Sequence, residues 1–165
     1  MSPTSAAADV VVMPLRLQAS AIAAFAEAFR AEWPAWYGPG GPGDADADLH
    51  AFANADGALP VGVMAQGPTG QPVGVAALKA MSIPSHAHLT PWASAGWVSP
   101  ACRGQGVGAL LLGALMEEAR RLGHAQVYCA TATSASLLAR QGWQCIDATV
   151  HDGHELQVFS KATDC

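Results

Sequence analysis

The chain has 165 residues, 51% of them hydrophobic and 13% charged, with a formal net charge of −5. That length suits a single domain, residues 1–165, able to bury a core of its own, and the composition excludes a disordered chain. With only two lysines, Lys79 and Lys161, there is no basic stripe to neutralise nucleic-acid phosphates, and no apolar run approaches the roughly 18 residues that cross a bilayer, so neither nucleic acid nor membrane is expected as a partner.

The stretch from Met1 to Val11 lacks Lys and Arg and has no apolar segment ending in a small-residue cleavage site, which leads to the expectation of a soluble, cytoplasmic protein. Cys102, Cys129, Cys145 and Cys165 form no Cys-x-x-Cys pair and are read as free thiols. Cys129 lies in an apolar run and behaves as a small buried hydrophobe.

Val10 to Leu15 reads as a short first strand. From Ala19 to Trp33 the apolar residues switch to helical spacing, with Ile22, Phe25, Ala26 and Phe29 on one stripe, and Pro34 stops the helix. The Gly- and Pro-rich stretch Tyr37 to Asp44 is an irregular loop. Asp44, Asp46 and Asp48 then suit the positive N-terminal end of a second helix running to about Ala55. The same aspartates fail as a calcium loop, since Leu49 and Ala55 stand where Gly and Glu are required.

Leu59 to Gln66 and Val73 to Ile83 are apolar runs joined by Gly-Pro-Thr-Gly-Gln, which predicts an antiparallel hairpin. Pro84 and Pro91 bracket a loop before a strand at Ala95 to Val98. Val107 to Leu122 is a helix with Leu111, Leu115, Ala119 and Leu122 on its buried stripe and Gly123 at its C-cap. Gln126 to Thr131 completes a strand–helix–strand unit, expected as a right-handed parallel crossover. Ser134 to Arg140 is a short helix. Cys145 to Val150 and Glu155 to Phe159 form a hairpin turned at Asp152-Gly153. The order β-α-α-β-β-β-α-β-α-β-β predicts an α/β (α+β) fold: a mixed, mostly antiparallel twisted sheet with helices on both faces.

The most informative segment joins a strand to the long helix as Val98-Ser-Pro-Ala-Cys-Arg103-Gly104-Gln105-Gly106-Val107-Gly108. Glycines admit backbone shapes closed to other residues and leave nothing to obstruct a ligand. At a helix N-terminus the free N–H groups and the helix dipole favour an anion, so the turn can cradle a pyrophosphate, with Arg103 able to add a bidentate contact. The three glycines alone also suit a tight turn with close helix–sheet packing.

Val-x-Pro-x-x-Arg-Gly-x-Gly-x-Gly, filled by Val98, Pro100, Arg103, Gly104, Gly106 and Gly108, resembles the acetyl-CoA signature of the GNAT superfamily of N-acetyltransferases. Gln141-Gly142-Trp143 resembles the Gly-aromatic pair after that family's last core helix. The resemblance implies acetyl-CoA as cosubstrate, with backbone amides of Arg103, Gly104, Gln105, Gly106, Val107, Gly108 and Ala109 around the pyrophosphate. It implies that the strand ending at Trp97 and Val98 is bulged and splayed from Gln126 to Thr131, so that the pantetheine arm enters between them with Thr131 at its side. An N–H near Trp97 or Val98 would face the thioester oxygen. It departs from the family at Leu138, where many members carry the Tyr that protonates the leaving thiolate. The hydroxyls left nearby are Thr131, Ser134 and Ser136. Ser134 is the candidate catalytic acid, with a helix N-cap as its bland alternative and water as the other proton source.

The implied reaction is transfer of acetyl to a primary amine of a small-molecule or peptide acceptor, by direct attack in a ternary complex. Polyamine, aminoglycoside, amino acid and peptide N-terminus all stay open, as does a homodimer. A non-catalytic acyl-CoA-binding or sensory domain of the same fold is the second class. Gly104-x-Gly106-x-x-Ala109 also fits a dinucleotide fingerprint, but Gln126 to Thr131 ends in no acidic residue and too little chain follows for a second half-sheet. No Gly-Lys-Ser/Thr follows to make a P-loop. His86 and His88, read as sharing a strand face, and His151 and His154, flanking a turn, have no third ligand nearby in sequence, so no metal site is expected and all are read as surface or loop histidines. Trp33, Trp36, Tyr37 and Trp92 either pack at the core edge or wall the acceptor pocket.

Overall fold

A computed structural model describes residues 9–164. The elements run β1 (Val11–Pro14), α1 (Ile22–Glu32), α2 (Pro34–Tyr37), α3 (Ala45–Phe52), β2 (Val61–Gln66), β3 (Pro72–Lys79), β4 (Trp92–Val98), α4 (Val107–Arg121), β5 (Gln126–Thr131), α5 (Ala135–Arg140), β6 (Gln144–His151) and β7 (His154–Ala162). One seven-stranded sheet takes the order β1-β2-β3-β4-β5-β7-β6, antiparallel everywhere except between β4 and β5.

Each face of the sheet carries its own core. Leu111, Leu115 and Ala119 of α4, with Leu138 of α5 and Trp143, pack against Val61, Val63, Leu78, Val127 and Phe159. Phe25 and Phe29 of α1, with Leu49 and Phe52 of α3, cover Met64, Val75 and Ala77 on the opposite side. The alternation of inward residues along β2 reflects the period-two pleat of a strand buried on both faces.

Helix α1 starts three residues later than its periodicity predicts, because Leu15–Ala21 winds as a 3-10 segment kinked at Gln18. It ends at Glu32. Trp33 leaves helical space (φ −126°, ψ 64°), as a residue before proline is pushed to do, and Pro34 then opens the short helix α2 from its N1 position. Asp44 caps α3 by accepting from the Ala47 N–H at 3.0 Å, Asp46 pairs with Arg30 at 3.1 Å, and Asp48 accepts from the Tyr37 hydroxyl at 2.7 Å. The three aspartates therefore serve helix capping and packing.

Two strands depart from their predicted limits. Strand β4 begins at Trp92, three residues before the expected start, and β3 stops at Lys79 rather than Ile83. The histidine pair does not share a strand face. Pro84–His86 is a 3-10 turn in which His86 is buried, bonded through Nδ1 to Ser85 Oγ at 2.8 Å and through Nε2 to Asp147 Oδ2 at 2.7 Å. His151 and His154 flank the β6–β7 turn as expected.

Candidate active site

Strand β4 is where the sheet opens. Opposite β3, Val75 pairs with Trp97 and Ala77 with Ser94, so two residues, Ala95 and Gly96, face the single Ala76. This bulge gives Ala95 a positive φ of 54°, a conformation that costs a non-glycine residue energy and that accumulates at functional sites. On its other side β4 has one registered partner in β5, Trp92 with Tyr128, and past Trp92 the edge of β4 facing β5 runs unpaired.

At the end of β4 the Ser99 N–H donates to Val73 O at 2.8 Å, and residues 100–102 make a 3-10 turn into the glycine segment. Gly104 (φ 76°) and Gly106 (φ 90°) both lie in the left-handed region that favours glycine. A side chain at Gly104 would meet nothing within 4 Å, so the turn stands open. Gly106 is the N-cap of α4 and no side chain caps the helix there. The amides of Val107, Gly108 and Ala109 accordingly keep the unsatisfied donors of a helix start. Helix α4 sits this close because β3 has Gly74 beneath it, where a Cβ would come within 3.0 Å of Leu111 Cδ1 and 3.2 Å of Val107 Cγ1.

The splay and the glycine turn open on one cleft of about 820 Å³. Trp97, Val98, Arg103, Gly104 and Gly106 line it from the β4 side, and Val107, Gly108 and Ala109 line it from the helix start. Thr131, Ser134 and Leu138 line it from the β5–α5 corner. Of the cofactor and acid residues expected from sequence, Gln105 and the hydroxyl candidate Ser136 are not part of this wall; the Gln105 amide donates to Ala101 O at 3.1 Å.

Individual side chains refine the picture. The Arg103 guanidinium donates through Nε to Val98 O at 2.8 Å and through Nη2 to Glu32 Oε1 at 2.7 Å, leaving Nη1 for a ligand. Thr131 Oγ1 accepts the Ser134 N–H at 2.8 Å and the Thr133 N–H at 3.2 Å, so Thr131 closes the corner and the Ser134 hydroxyl caps nothing. Leu138 is 1% exposed and part of the core as well as the cleft wall. Burial pushes the Cys129 thiol, also in the wall, up to about 12.

Among the aromatics, Trp33 alone of the first-helix group lines the cleft. Tyr37 stacks on Phe29 at 5.5 Å, and burial, then its bond to Asp48, raise its phenol well above the ordinary value. Trp36 is half exposed on the surface, and Trp92 is fully buried with its Nε1 donating to Leu89 O at 2.7 Å. Trp97 meets Phe25 edge-on at 6.1 Å, which ties β4 to α1. Sequence reasoning overlooked Arg140, and it marked Glu32 only as the first residue of the Trp-rich entry, residues 32–38, where acceptor specificity is to be sought; both lie in the wall. Among the described residues no cluster of three or more His, Cys, Asp or Glu side chains could hold a metal, and no helix is long and apolar enough to cross a membrane.

Solved structures share this architecture. The yncA protein of Salmonella typhimurium, with its cofactor acetyl-CoA, aligns at a TM-score of 0.72 with 19% identity over 94% of this chain and 95% of its own. A GNAT-family protein from Bordetella pertussis aligns at 0.72 with 19% identity over 98% of both chains. An aminoglycoside 6'-N-acetyltransferase complexed with coenzyme A aligns at 0.74 with 12% identity over 93% of this chain and 97% of its own. No curated protein sequence matches the chain. The sequence model of the Acetyltransferase (GNAT) family matches residues 24–143, which spans the α1 aromatics, the bulged strand, the glycine turn and Gly142-Trp143, and the chain belongs to that family.

Proposed function

We propose that residues 1–165 act as a single acetyl-CoA-dependent N-acetyltransferase domain that moves acetyl to a primary amine by direct attack in a ternary complex. The observation that carries this reading is the meeting of two features in one cleft: the open helix start at Gly106 and the unpaired, bulged edge of β4. The first supplies amide donors for a pyrophosphate, and the second supplies strand-edge donors and acceptors for an amide-bearing arm and an N–H for the thioester oxygen. The presence of acetyl-CoA and coenzyme A in two fold neighbours supports the choice of cosubstrate. Free thiols at Cys102, Cys129 and Cys145 suit a reducing compartment such as the cytoplasm.

In this reaction the neutral amine nitrogen forms a bond to the acetyl carbonyl carbon and the carbon–sulfur bond breaks. One proton leaves nitrogen and one reaches the thiolate, giving an amide and the free thiol of CoA. Leu138 carries no proton to give, so the donor is the Ser134 hydroxyl, or water where Ser134 does not serve. The buried Leu138 also favours a second reading, a domain that binds acyl-CoA without turning it over.

The test is an amine-panel acetylation screen with mass detection of product, run beside calorimetry of CoA binding. Wild type should bind CoA and acetylate at least one amine class. Gly106→Asp puts a negative charge beside the helix start and should weaken CoA by about tenfold or more relative to Gly106→Ala, which shares its backbone strain at positive φ. Equal CoA affinity in both variants would refute the assignment of the turn. Tight CoA binding without turnover of any amine would select the sensory reading.

A further inference from the structure

Glu32 is the one carboxylate among the described residues lining the cleft, whose other charged side chains are Arg103 and Arg140. Its placement is unfavourable to its own helix end and to an anion entering the glycine turn. It is the last residue of α1, where the helix dipole presents negative partial charge and disfavours an acid. It also lies 2.7 Å from the guanidinium of the glycine turn, so a phosphate group arriving at Arg103 meets a like charge beside it. A local rule broken at a cleft wall calls for a compensating role.

The structure supplies the geometry for one. Both partners of the pair are partly exposed, with side chains 47% and 39% accessible, so the bridge is of the weak, exchangeable kind. Arg103 keeps its Nε bond to Val98 O independently of Glu32, so the guanidinium stays in place when its second partner changes. Trp33, the next residue, lines the same cleft and carries the backbone of Glu32 along its wall.

Building on the acetyl-CoA reading above, we propose that Glu32 selects the acceptor: when the cosubstrate's pyrophosphate takes Arg103, the released carboxylate pairs with a charged ammonium group of the acceptor. The reacting nitrogen must be neutral to attack, so the ammonium bound by Glu32 is a second one. The preferred acceptors are therefore di- or polyamines, in which one amino group reacts and another anchors. Glu32 is a specificity residue in this scheme and takes no part in proton transfer.

The test uses the full chain, 1,4-diaminobutane, and butylamine, which lacks the second amino group. CoA affinity is measured by calorimetry, and amine binding to the CoA-saturated protein by ligand-observed NMR, for wild type and Glu32→Gln. Removing the carboxylate beside Arg103 should tighten CoA by about two- to fivefold, and should weaken the diamine by a similar factor while leaving butylamine unchanged. Diamine affinity that is the same in both proteins, a loss shared equally by butylamine, or absence of diamine binding to wild type would each overturn the role of Glu32. CoA that binds neither protein would instead remove the acetyl-CoA reading on which it rests. Melting temperatures equal to or above wild type for Glu32→Gln are expected, since the substitution removes an acid from a helix C-terminus, and they separate the effect from misfolding.

Discussion

Trp92 and Tyr128 form the one registered pair between β4 and β5, and their rings meet at 5.7 Å. They sit at the closed end of the splay, with Ile83 and Val158 around them. Trp92→Ala should cost about 3–5 kcal/mol, as expected for removing a fully buried large aromatic, whereas Trp92→Phe should cost about 1 kcal/mol, mainly the lost bond to Leu89 O. Chemical denaturation checks both. CoA affinity should fall further in the Ala variant than in the Phe variant, because only the former loosens the floor from which the strands diverge.

The β5–α5 corner separates a structural hydroxyl from an available one. Thr131→Val removes the acceptor of two N–H groups and should lower stability by about 0.5–2 kcal/mol, the range for losing a cap. Ser134→Ala removes a hydroxyl that caps nothing and should leave the melting temperature unchanged. If Ser134 donates the proton, its rate falls by about 10²–10⁴-fold in Ser134→Ala; if water does, the fall is modest. Leu138→Tyr enlarges a side chain that is 1% exposed and should cost about 1–3 kcal/mol from overpacking, although its position in the cleft wall gives the new hydroxyl an outlet. Stopped assays at fixed acetyl-CoA distinguish the cases, and a Leu138→Tyr rate below wild type would contradict a missing-acid account.

The cysteines should differ sharply toward iodoacetamide. Burial lifts the Cys129 thiol to about 12, so it remains protonated and slow through pH 9, while Cys145 is exposed and should react first of the three described thiols, Cys165 lying outside the described residues. Saturating CoA should shield Cys102 and Cys129, which line the cleft, and leave Cys145 unaffected. Peptide mapping by mass spectrometry reads each site. Rapid alkylation of Cys129 at neutral pH would contradict its enclosure.

The His86–Asp147 bond carries a pH signature. His86 Nε2, and secondarily the Ala148 N–H, hold the Asp147 carboxyl below its ordinary range. A depressed carboxyl contributes stability that is fully present above its unfolded value, ~3.9, and is lost as pH falls through the folded value. Acid unfolding of wild type should therefore show a contribution below about pH 4 that is diminished in His86→Ala, and the Asp147 carboxyl should move up toward its ordinary range in that variant, held down only by the Ala148 N–H. Carbon-detected NMR of Asp147 in the two proteins measures the difference.

Element order and the glycine turn were legible to different degrees, for physical reasons. Helix α4 and the glycine run announce themselves because helical period and positive-φ demands are local. The β4 limits were misplaced because Trp92 and Ala93 follow a proline and look like loop, and what makes them strand is pairing with Leu78 and Lys79, more than a dozen residues away. The same holds for His86, which bonds Asp147 across 61 residues of chain. Tyr37 and Trp92 gave no local sign of whether they faced core or cleft, since an aromatic beside a loop suits both. The Glu32–Arg103 bridge joins residues 71 apart and had no sequence signal beyond proximity to Trp33.

Strand β7 lies inside the sheet, between β5 and β6, although it is the last strand in chain order. Its end is pinned to the far end of α4 and the turn after it, by Arg120 Nε on Thr163 O at 2.9 Å and by Thr163 Oγ1 on His124 O at 2.6 Å. During synthesis, β6 therefore emerges before β7, its one sheet neighbour among the described residues, and the β5-β7-β6 part of the sheet cannot close until residues near 162 leave the ribosome. Assembly is thus governed by contacts distant in sequence, which close slowly, and a chain cut short before His154 would lose an interior strand along with the neighbour that depends on it. Strand β7 is thus the piece that joins β6 to the rest of the sheet.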